Sequence, residues 1–133
     1  MINVGINGFG RIGRSVYRIL TQRDDVNVVA INDIAPNESL AYLFKYDTVM
    51  GTYPGDVHME GSTLHAGTQK TLMTEIRDPS ELPWKEHDVD VVVESTGIFR
   101  DRASISKHLE AGAKKVVLTV PAKDEIDATI VLG

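Results

Sequence analysis

The chain has 133 residues, of which 42% are hydrophobic and 25% charged, which is enough for one domain with a core of its own. Its formal net charge of -5 argues against nucleic acid or an anionic membrane as a partner, because both are negatively charged. Cysteine is absent, which excludes disulfides, thiolate metal ligands and thiol nucleophiles within these residues.

The N-terminus does not have the pattern of a signal peptide. No apolar run approaches the roughly 20 residues that a membrane-spanning helix needs. We therefore expect a cytoplasmic protein that binds neither nucleic acid nor a membrane, and any anion that binds has to be held by local contacts.

The first predicted element is a short strand with apolar residues at Ile2, Val4 and Ile6. It runs into a glycine-rich turn. From Arg11 onward, apolar residues recur at helical spacing and predict an amphipathic helix, with Ile12, Val16, Ile19 and Leu20 on its apolar face.

The next segments predict a strand followed by a helix. The β-branched run "VNVVAI" is typical of a strand buried on both faces of a parallel sheet, and it ends at Asn32 and Asp33. After Pro36, "ESLAYLFKYD" has helix-forming composition. The glycine-rich and proline-rich region from 51 to 67 predicts turns with short strands.

In the second half of the chain, "TLMTEI" and "VDVVVEST" predict strands. Asp101 is a candidate cap for a helix whose Ile105 and Leu109 should face the core, and "KVVLTV" and "DATIVLG" predict two more strands. This alternation predicts an α/β fold of the Rossmann type, with a doubly wound, mostly parallel sheet and flanking helices, in one domain spanning 1–133.

The opening segment carries a G-x-G-x-x-G motif at Gly8, Gly10 and Gly13, between a predicted strand and a predicted helix. In that context Gly8 permits a tight turn, Gly10 lets the main chain approach a pyrophosphate, and Gly13 lets helix and strand pack closely. Asp33 lies twenty positions after Gly13, where a carboxylate can accept hydrogen bonds from ribose hydroxyls. Because that carboxylate would repel a 2′-phosphate, the motif favours NAD over NADP.

Several spaced segments together resemble the N-terminal half of the glyceraldehyde-3-phosphate dehydrogenase family. They are "INGFGRIGR", "VVAIND", "LAYLFKYDTVMG", "RDPSELPW", "DVVVESTGIF" and "AGAKKVVLTVPAKD", in that order. The motif and the resemblance together predict a set of NAD-binding residues: Asn7, Gly8, Phe9, Gly10, Arg11, Ile12, Gly13, Asn32, Asp33, Arg77, Ser95, Thr96, Gly97 and Thr119.

Within this set, the resemblance implies that residues 7–12 hold the pyrophosphate and that Arg77 lies near the adenine. It also implies that Ser95, Thr96 and Gly97 line the crevice and that Thr119 lies near the nicotinamide. For several of these residues a purely structural role remains an alternative. Arg77 could form a surface ion pair, the hydroxyls of Ser95, Thr96 and Thr119 could serve only the backbone, and Asp33 could be a solvated loop acid.

The resemblance also implies a reaction for the whole enzyme. Enzymes of this family oxidise glyceraldehyde 3-phosphate with NAD and phosphate to 1,3-bisphosphoglycerate in glycolysis, using a cysteine nucleophile and a histidine base. Both would follow Gly133, so we expect an NAD-binding domain truncated before its catalytic domain, with no catalytic residues and no activity by itself. The family forms homotetramers, and the oligomeric state of this chain stays open.

Two alternatives remain at this point. The chain could be the cofactor domain of an erythrose-4-phosphate dehydrogenase, or a stand-alone nucleotide-binding module. The four histidines have no i, i+4 pairing that would place two imidazoles on one helical face, so the sequence predicts no metal site.

Overall fold

The computed structural model describes residues 1–47, 51–99 and 101–119. It confirms the predicted alternation of strands and helices. The elements in chain order are β1 (Ile2–Asn7), α1 (Arg11–Leu20), β2 (Val26–Asn32), α2 (Asn37–Lys45), β3 (Tyr46–Asp47), β4 (Gly51–Thr52), β5 (Val57–Glu60), β6 (Thr63–Ala66), β7 (Gln69–Thr74), β8 (Val91–Glu94), α3 (Arg102–Glu110) and β9 (Lys115–Leu118).

Seven of the described strands form one sheet in the order β5-β6-β7-β2-β1-β8-β9. The pairs β7–β2, β2–β1, β1–β8 and β8–β9 are parallel, whereas β5–β6 and β6–β7 are antiparallel. From the central strand β1, the chain builds outward to β2 and later returns to β8 on the other side. This reversal of strand order is the switch point at which doubly wound sheets bind their ligands.

The two faces of the sheet have separate apolar cores. On one face Val4 and Ile6 pack with residues of α1 and α2. On the other face Trp84 is fully buried and packs with Ala30 and Val92. The register between β1 and β2 shifts after Val4, which leaves an extra residue in β2 and exchanges the face to which its later side chains point.

A glycine in the central strand makes room for the only tryptophan of the sequence. A Cβ added at Gly5 would lie 2.6 Å from the Trp84 ring, closer than real side-chain contacts allow. Because Gly5 has no side chain, the ring lies directly against the backbone of β1. The small residue is therefore required by packing on this face of the sheet.

Helix α1 buries only part of the apolar face that the sequence predicts. Its fully buried positions are Gly13 and Tyr17, whereas Ile12 and Ile19 are 46% and 57% exposed. The Tyr17 ring packs edge-on against Phe9, with centroids 5.6 Å apart. Val16 and Leu20 pack against the same core as predicted, whereas the two isoleucines lie near the solvent.

Helix α3 also differs from the sequence expectation. Asp101 caps it as predicted, accepting a hydrogen bond from the Ser104 N–H at 2.7 Å. The prediction that Leu109 faces the core is wrong, since its side chain is 46% exposed, while His108 beside it is fully buried. Polar partners on other elements, described below, make burial of the histidine possible.

Two further expectations concern the ends of the described region. The strand predicted for "DATIVLG" lies outside the described residues, as does the end of the "KVVLTV" segment.

Among the residues that the structure does describe, no helix has the length and apolar character needed to cross a membrane.

Candidate functional site

A cavity of about 370 Å³ lies where β1, β2 and β8 end. Because these strands are parallel and adjacent, the loops that follow them meet at one edge of the sheet. The cavity wall includes eight of the residues predicted from the sequence: Asn7, Gly8, Gly10, Asn32, Asp33, Arg77, Ser95 and Thr96.

The three motif glycines have three different surroundings. Gly8 has a φ of 95° and a Cβ there would lie 2.7 Å from the Thr96 nitrogen. A Cβ at Gly13 would lie 2.1 Å from the Gly8 carbonyl oxygen. A Cβ at Gly10 would meet no atom of the described residues within 4 Å, apart from its own chain neighbours. Two of the glycines are therefore needed for packing, while the third leaves open space at the cavity.

That open space lies at the N-terminus of α1. Gly10 is the N-cap and offers no side chain to accept from the first N–H groups of the helix, and the first turn contains no acidic residue. The initial N–H groups of a helix have no partner within it, and they carry partial positive charge. This end of the helix is therefore suited to an anion with several acceptor oxygens.

Asp33 is held in place by two backbone groups. Its Oδ2 accepts a hydrogen bond from the Phe9 N–H at 2.7 Å, and its Oδ1 accepts one from the Ala35 N–H at 2.9 Å. The carboxylate is thereby fixed between the glycine turn and the end of β2. Each oxygen keeps a second lone pair with which to accept from a ligand hydroxyl.

Two buried amides join the ends of the strands at the floor of the cavity. The Asn32 Nδ2 donates to Asn7 Oδ1 at 2.8 Å, and Asn32 Oδ1 accepts from the Ile76 N–H at 2.8 Å. Asn7 and Asn32 are 2% and 3% exposed. These bonds tie β1, β2 and the segment after β7 together, so that both amides act mainly as structural supports of the site.

Beneath the cavity lies a polar network that the sequence did not reveal. Glu94 is fully buried and its carboxylate accepts four hydrogen bonds, from Asn7 Nδ2 at 2.7 Å, His108 Nε2 at 2.8 Å, the Thr96 N–H at 2.9 Å and the Thr96 hydroxyl at 2.6 Å. The indole N–H of Trp84 donates to His108 Nδ1 at 3.0 Å. Since an indole only donates, Nδ1 must accept, and the ring proton lies on Nε2.

The hydroxyls at the end of β8 face inward. Ser95 Oγ lies 2.6 Å from the Gly8 carbonyl oxygen and donates to it, so it fastens the glycine turn to β8. The Thr96 hydroxyl is used by Glu94. Both residues line the cavity, yet their hydroxyl hydrogens are already donated within the protein. Their contribution to the site is to fix its shape.

The other predicted residues do not line the cavity. Phe9 has its ring in the core, Gly13 packs against the Gly8 carbonyl, and Gly97 has a φ of 79° in the loop after β8. Arg11 and Ile12 are exposed in the first turn of α1. The Thr119 hydroxyl donates to the Glu94 carbonyl at 3.1 Å, as the structural reading of that residue allows.

The sequence analysis missed the apolar part of the cavity wall. This part is built from residues in the loops that follow β2, β7 and β8: Ile34, Ile76, Ile98 and Phe99. Ile34 and Ile98 are 59% and 70% exposed. Large apolar side chains in polar loops, just past the carboxyl ends of strands, are the signal that could have found them.

Residues 2–102 match the family described as glyceraldehyde 3-phosphate dehydrogenase, NAD binding domain. The chain belongs to this family. The match includes β1, the glycine turn, Asp33 and the loop after β8, which are the parts that form the cavity.

Curated relatives agree with the family match. The chain is 50% identical over 132 residues to glyceraldehyde-3-phosphate dehydrogenase of Priestia megaterium, covering 99% of the chain and 39% of that protein. It is 52% identical over 136 residues to the enzyme of Thermotoga maritima, covering 100% of the chain and 40% of that protein. It is also 49% identical over 125 residues to the cytosolic enzyme of Trypanosoma brucei brucei, covering 94% of the chain and 38% of that protein. The chain thus spans about two fifths of the length of these relatives.

Proposed function

We propose that this chain binds NAD, with the diphosphate against the glycine turn and the N-terminus of α1. The observation that carries the proposal is the open space at Gly10, where a Cβ would meet no atom of the described part of the chain within 4 Å, apart from the neighbouring residues. In the same motif, Gly8 and Gly13 are closely packed. An uncapped helix end beside a vacant main-chain surface fits the oxygens of a diphosphate.

The adenosine half fits the part of the cavity formed by the segments after β2, β7 and β8. Asp33 accepts from the ribose hydroxyls, since it is fixed by two backbone N–H groups and has lone pairs left. The apolar side chains of Ile34, Ile98 and Phe99 supply contact surface for the flat base, and Arg77 lies at the same cavity. Because Asp33 is anionic, a 2′-phosphate is disfavoured at this position.

We infer that the whole protein oxidises glyceraldehyde 3-phosphate, the substrate that its relatives' names give. The family description supports NAD as the oxidant, and the family resemblance implies phosphate as the second substrate. Bound NAD supplies the hydride acceptor for such an oxidation. The residues described here bind and orient the dinucleotide. The 133 residues contain no cysteine, so the thiol that attacks the aldehyde in this chemistry has to come from outside them.

The other candidate functions receive less support. The relatives named above are all glyceraldehyde-3-phosphate dehydrogenases, which favours that substrate over erythrose 4-phosphate. A nucleotide-binding module that acts without a catalytic domain would use the same site. We infer a cytosolic location because the trypanosome relative is the cytosolic enzyme.

Calorimetric titration of the chain with NAD, NADP and ADP-ribose tests the proposal. We expect NAD and ADP-ribose to bind, and NADP to bind more weakly. The variant Asp33→Ala should lose about tenfold or more in NAD affinity, because hydrogen bonds to a charged group contribute about 1.5–3 kcal/mol. The advantage of NAD over NADP should narrow in the same variant.

Asp24→Ala is the matched control, because Asp24 is an exposed aspartate that precedes β2, at the opposite end of the strand from Asp33. It should bind all three nucleotides like the unmodified chain. Unchanged NAD affinity and unchanged preference in Asp33→Ala would contradict the placement of the ribose. In an assay with glyceraldehyde 3-phosphate and phosphate, the chain alone should bind NAD without forming NADH.

A further inference from the structure

Two of the four histidines come together on the antiparallel extension of the sheet. The register of β5 and β6 pairs His58 with His65, and the two imidazole rings are stacked, with centroids 4.6 Å apart and planes inclined by 6°. Glu60 is two residues beyond His58 and therefore on the same face of β5. The histidines have no i, i+4 pairing on a helix, but the register of this hairpin brings two imidazoles together on one face of the sheet.

Potential ligand atoms of these three residues lie close enough to share one ion. One nitrogen from each histidine and one oxygen from Glu60 all lie within 4.8 Å of one another. His65 Nε2 is 3.0 Å from Glu60 Oε2. Two ligand atoms on one tetrahedral Zn²⁺ are separated by about 3.3 Å, given bond lengths of roughly 2.0–2.1 Å. The ligand atoms, which lie within 4.8 Å of one another, have to approach to about that separation by rotation of the side chains.

A fourth residue orients one of the imidazoles. Asp56 Oδ2 is 2.7 Å from His58 Nδ1, and since a carboxylate only accepts, this nitrogen carries the proton. The lone pair of His58 is then on Nε2. A carboxylate that holds the far nitrogen of a ligating histidine is a recurrent partner in metal sites, where it fixes the tautomer and the ring orientation.

The surroundings allow an ion to enter. The side chains of His58 and Glu60 are 50% and 75% exposed, and His65 is 19% exposed. Asp56 and Glu60 supply negative charge, while Lys70, which pairs with His65 across β6 and β7, is exposed and can extend away into solvent. The parallel rings have to turn toward a common point, which rotation about the broad terminal χ angle of histidine permits.

We propose that His58, Glu60 and His65 bind a divalent transition-metal ion of the Zn²⁺ class. Imidazole nitrogens prefer zinc, nickel and copper, whereas magnesium and calcium prefer ligand sets made of oxygen alone. Three protein ligands leave one position of a tetrahedral ion for water or an outside group. The ion would join β5 to β6 at the edge of the sheet, with β7 and β2 between the hairpin and β1.

The test is calorimetric titration of the metal-free chain with Zn²⁺ in the presence of excess Mg²⁺. We expect one ion per chain, and at least a tenfold loss of affinity in His58→Gln and in His65→Gln. Asp56→Asn should weaken binding by about tenfold, as loss of such a supporting carboxylate does in other sites. Amide hydrogen exchange should slow across residues 57–66 when Zn²⁺ is added.

His87→Gln is the matched control, because it removes a histidine outside the group without changing the three ligands. It should bind Zn²⁺ like the unmodified chain. Circular dichroism of each metal-free variant verifies that the exposed substitutions leave the fold intact. Absence of binding, unchanged binding in both ligand variants, or an equal loss in His87→Gln would each overturn the proposal. NAD affinity should be the same in all these variants, so the outcome is separate from that of the proposed function.

Discussion

Alanine substitutions at Gly10 and Gly13 should separate effects on NAD affinity from effects on folding stability, although both residues belong to one motif. A Cβ at Gly10 points into open space, and its φ of -77° and ψ of -159° suit an alanine. A Cβ at Gly13 would lie 2.1 Å from the Gly8 carbonyl oxygen. The same added methyl group therefore meets open space at one position and the backbone of the glycine turn at the other.

The expected magnitudes follow from these two surroundings. Gly10→Ala should lower the free energy of unfolding by less than about 1 kcal/mol, because it changes only an N-cap without a side-chain bond. In the same variant the methyl group displaces a diphosphate oxygen from at least one backbone N–H. The loss of one charge-assisted hydrogen bond, about 1.5–3 kcal/mol, corresponds to a roughly 10- to 150-fold weaker affinity for NAD.

Gly13→Ala should instead act mainly on folding stability. Helix α1 has to move away from the turn by about 1 Å to restore ordinary contact distances, and overpacking of this kind costs about 1–3 kcal/mol of unfolding free energy. The two quantities are measured by urea denaturation and by calorimetric titration with NAD. Wild-type affinity in Gly10→Ala would refute the placement of the diphosphate. Wild-type stability in Gly13→Ala would refute the close packing of the helix on the turn.

Three further substitutions test the buried polar groups and the helix cap described above. Glu94→Gln places an amide NH2 group against two of the four donors that face the carboxylate. Chemical denaturation should therefore show a free energy of unfolding that is lower by about 2–4 kcal/mol. Wild-type stability would contradict the network. Burial raises the pKa of Tyr17 to about 12, so the unfolded chain loses this proton first and stability should fall between about pH 10 and 12. Denaturation at several pH values should show a smaller fall in the free energy of unfolding for Tyr17→Phe, by up to about 3 kcal/mol across that window, and an identical slope would count against burial of the hydroxyl. Asp101→Ala removes the N-cap of α3 and should cost about 1 kcal/mol in thermal or urea unfolding, with no change in NAD affinity.

Local patterns in the sequence were sufficient for much of the fold and for the centre of the site. The elements of the site follow one another closely in the sequence: a strand before Gly8, a helix after it, and Asp33 at the end of the next strand. A doubly wound sheet brings such strand ends to one edge as a matter of topology. This explains why the glycine turn, Asp33, Ser95 and Thr96 could be assigned to one cavity.

What the sequence did not reveal depends on contacts between distant residues. Burial of His108 in place of Leu109 follows from Glu94 and Trp84, which lie 14 and 24 residues away in sequence. No helical pattern contains that information, because an imidazole is stable in a core only when both nitrogens have partners. The pairing of His58 with His65 likewise depends on the register of a hairpin.

Trp84 gives this protein a built-in optical reporter. It is the only tryptophan in the sequence, it is fully buried against Gly5, and its indole N–H is bonded to His108. Its fluorescence therefore arises from a single environment at the centre of the sheet. Its emission should shift to longer wavelengths only when the packing on the Trp84 side of β1 is lost. Local unfolding of the β5–β6 hairpin would leave the emission unchanged and has to be followed with a different probe.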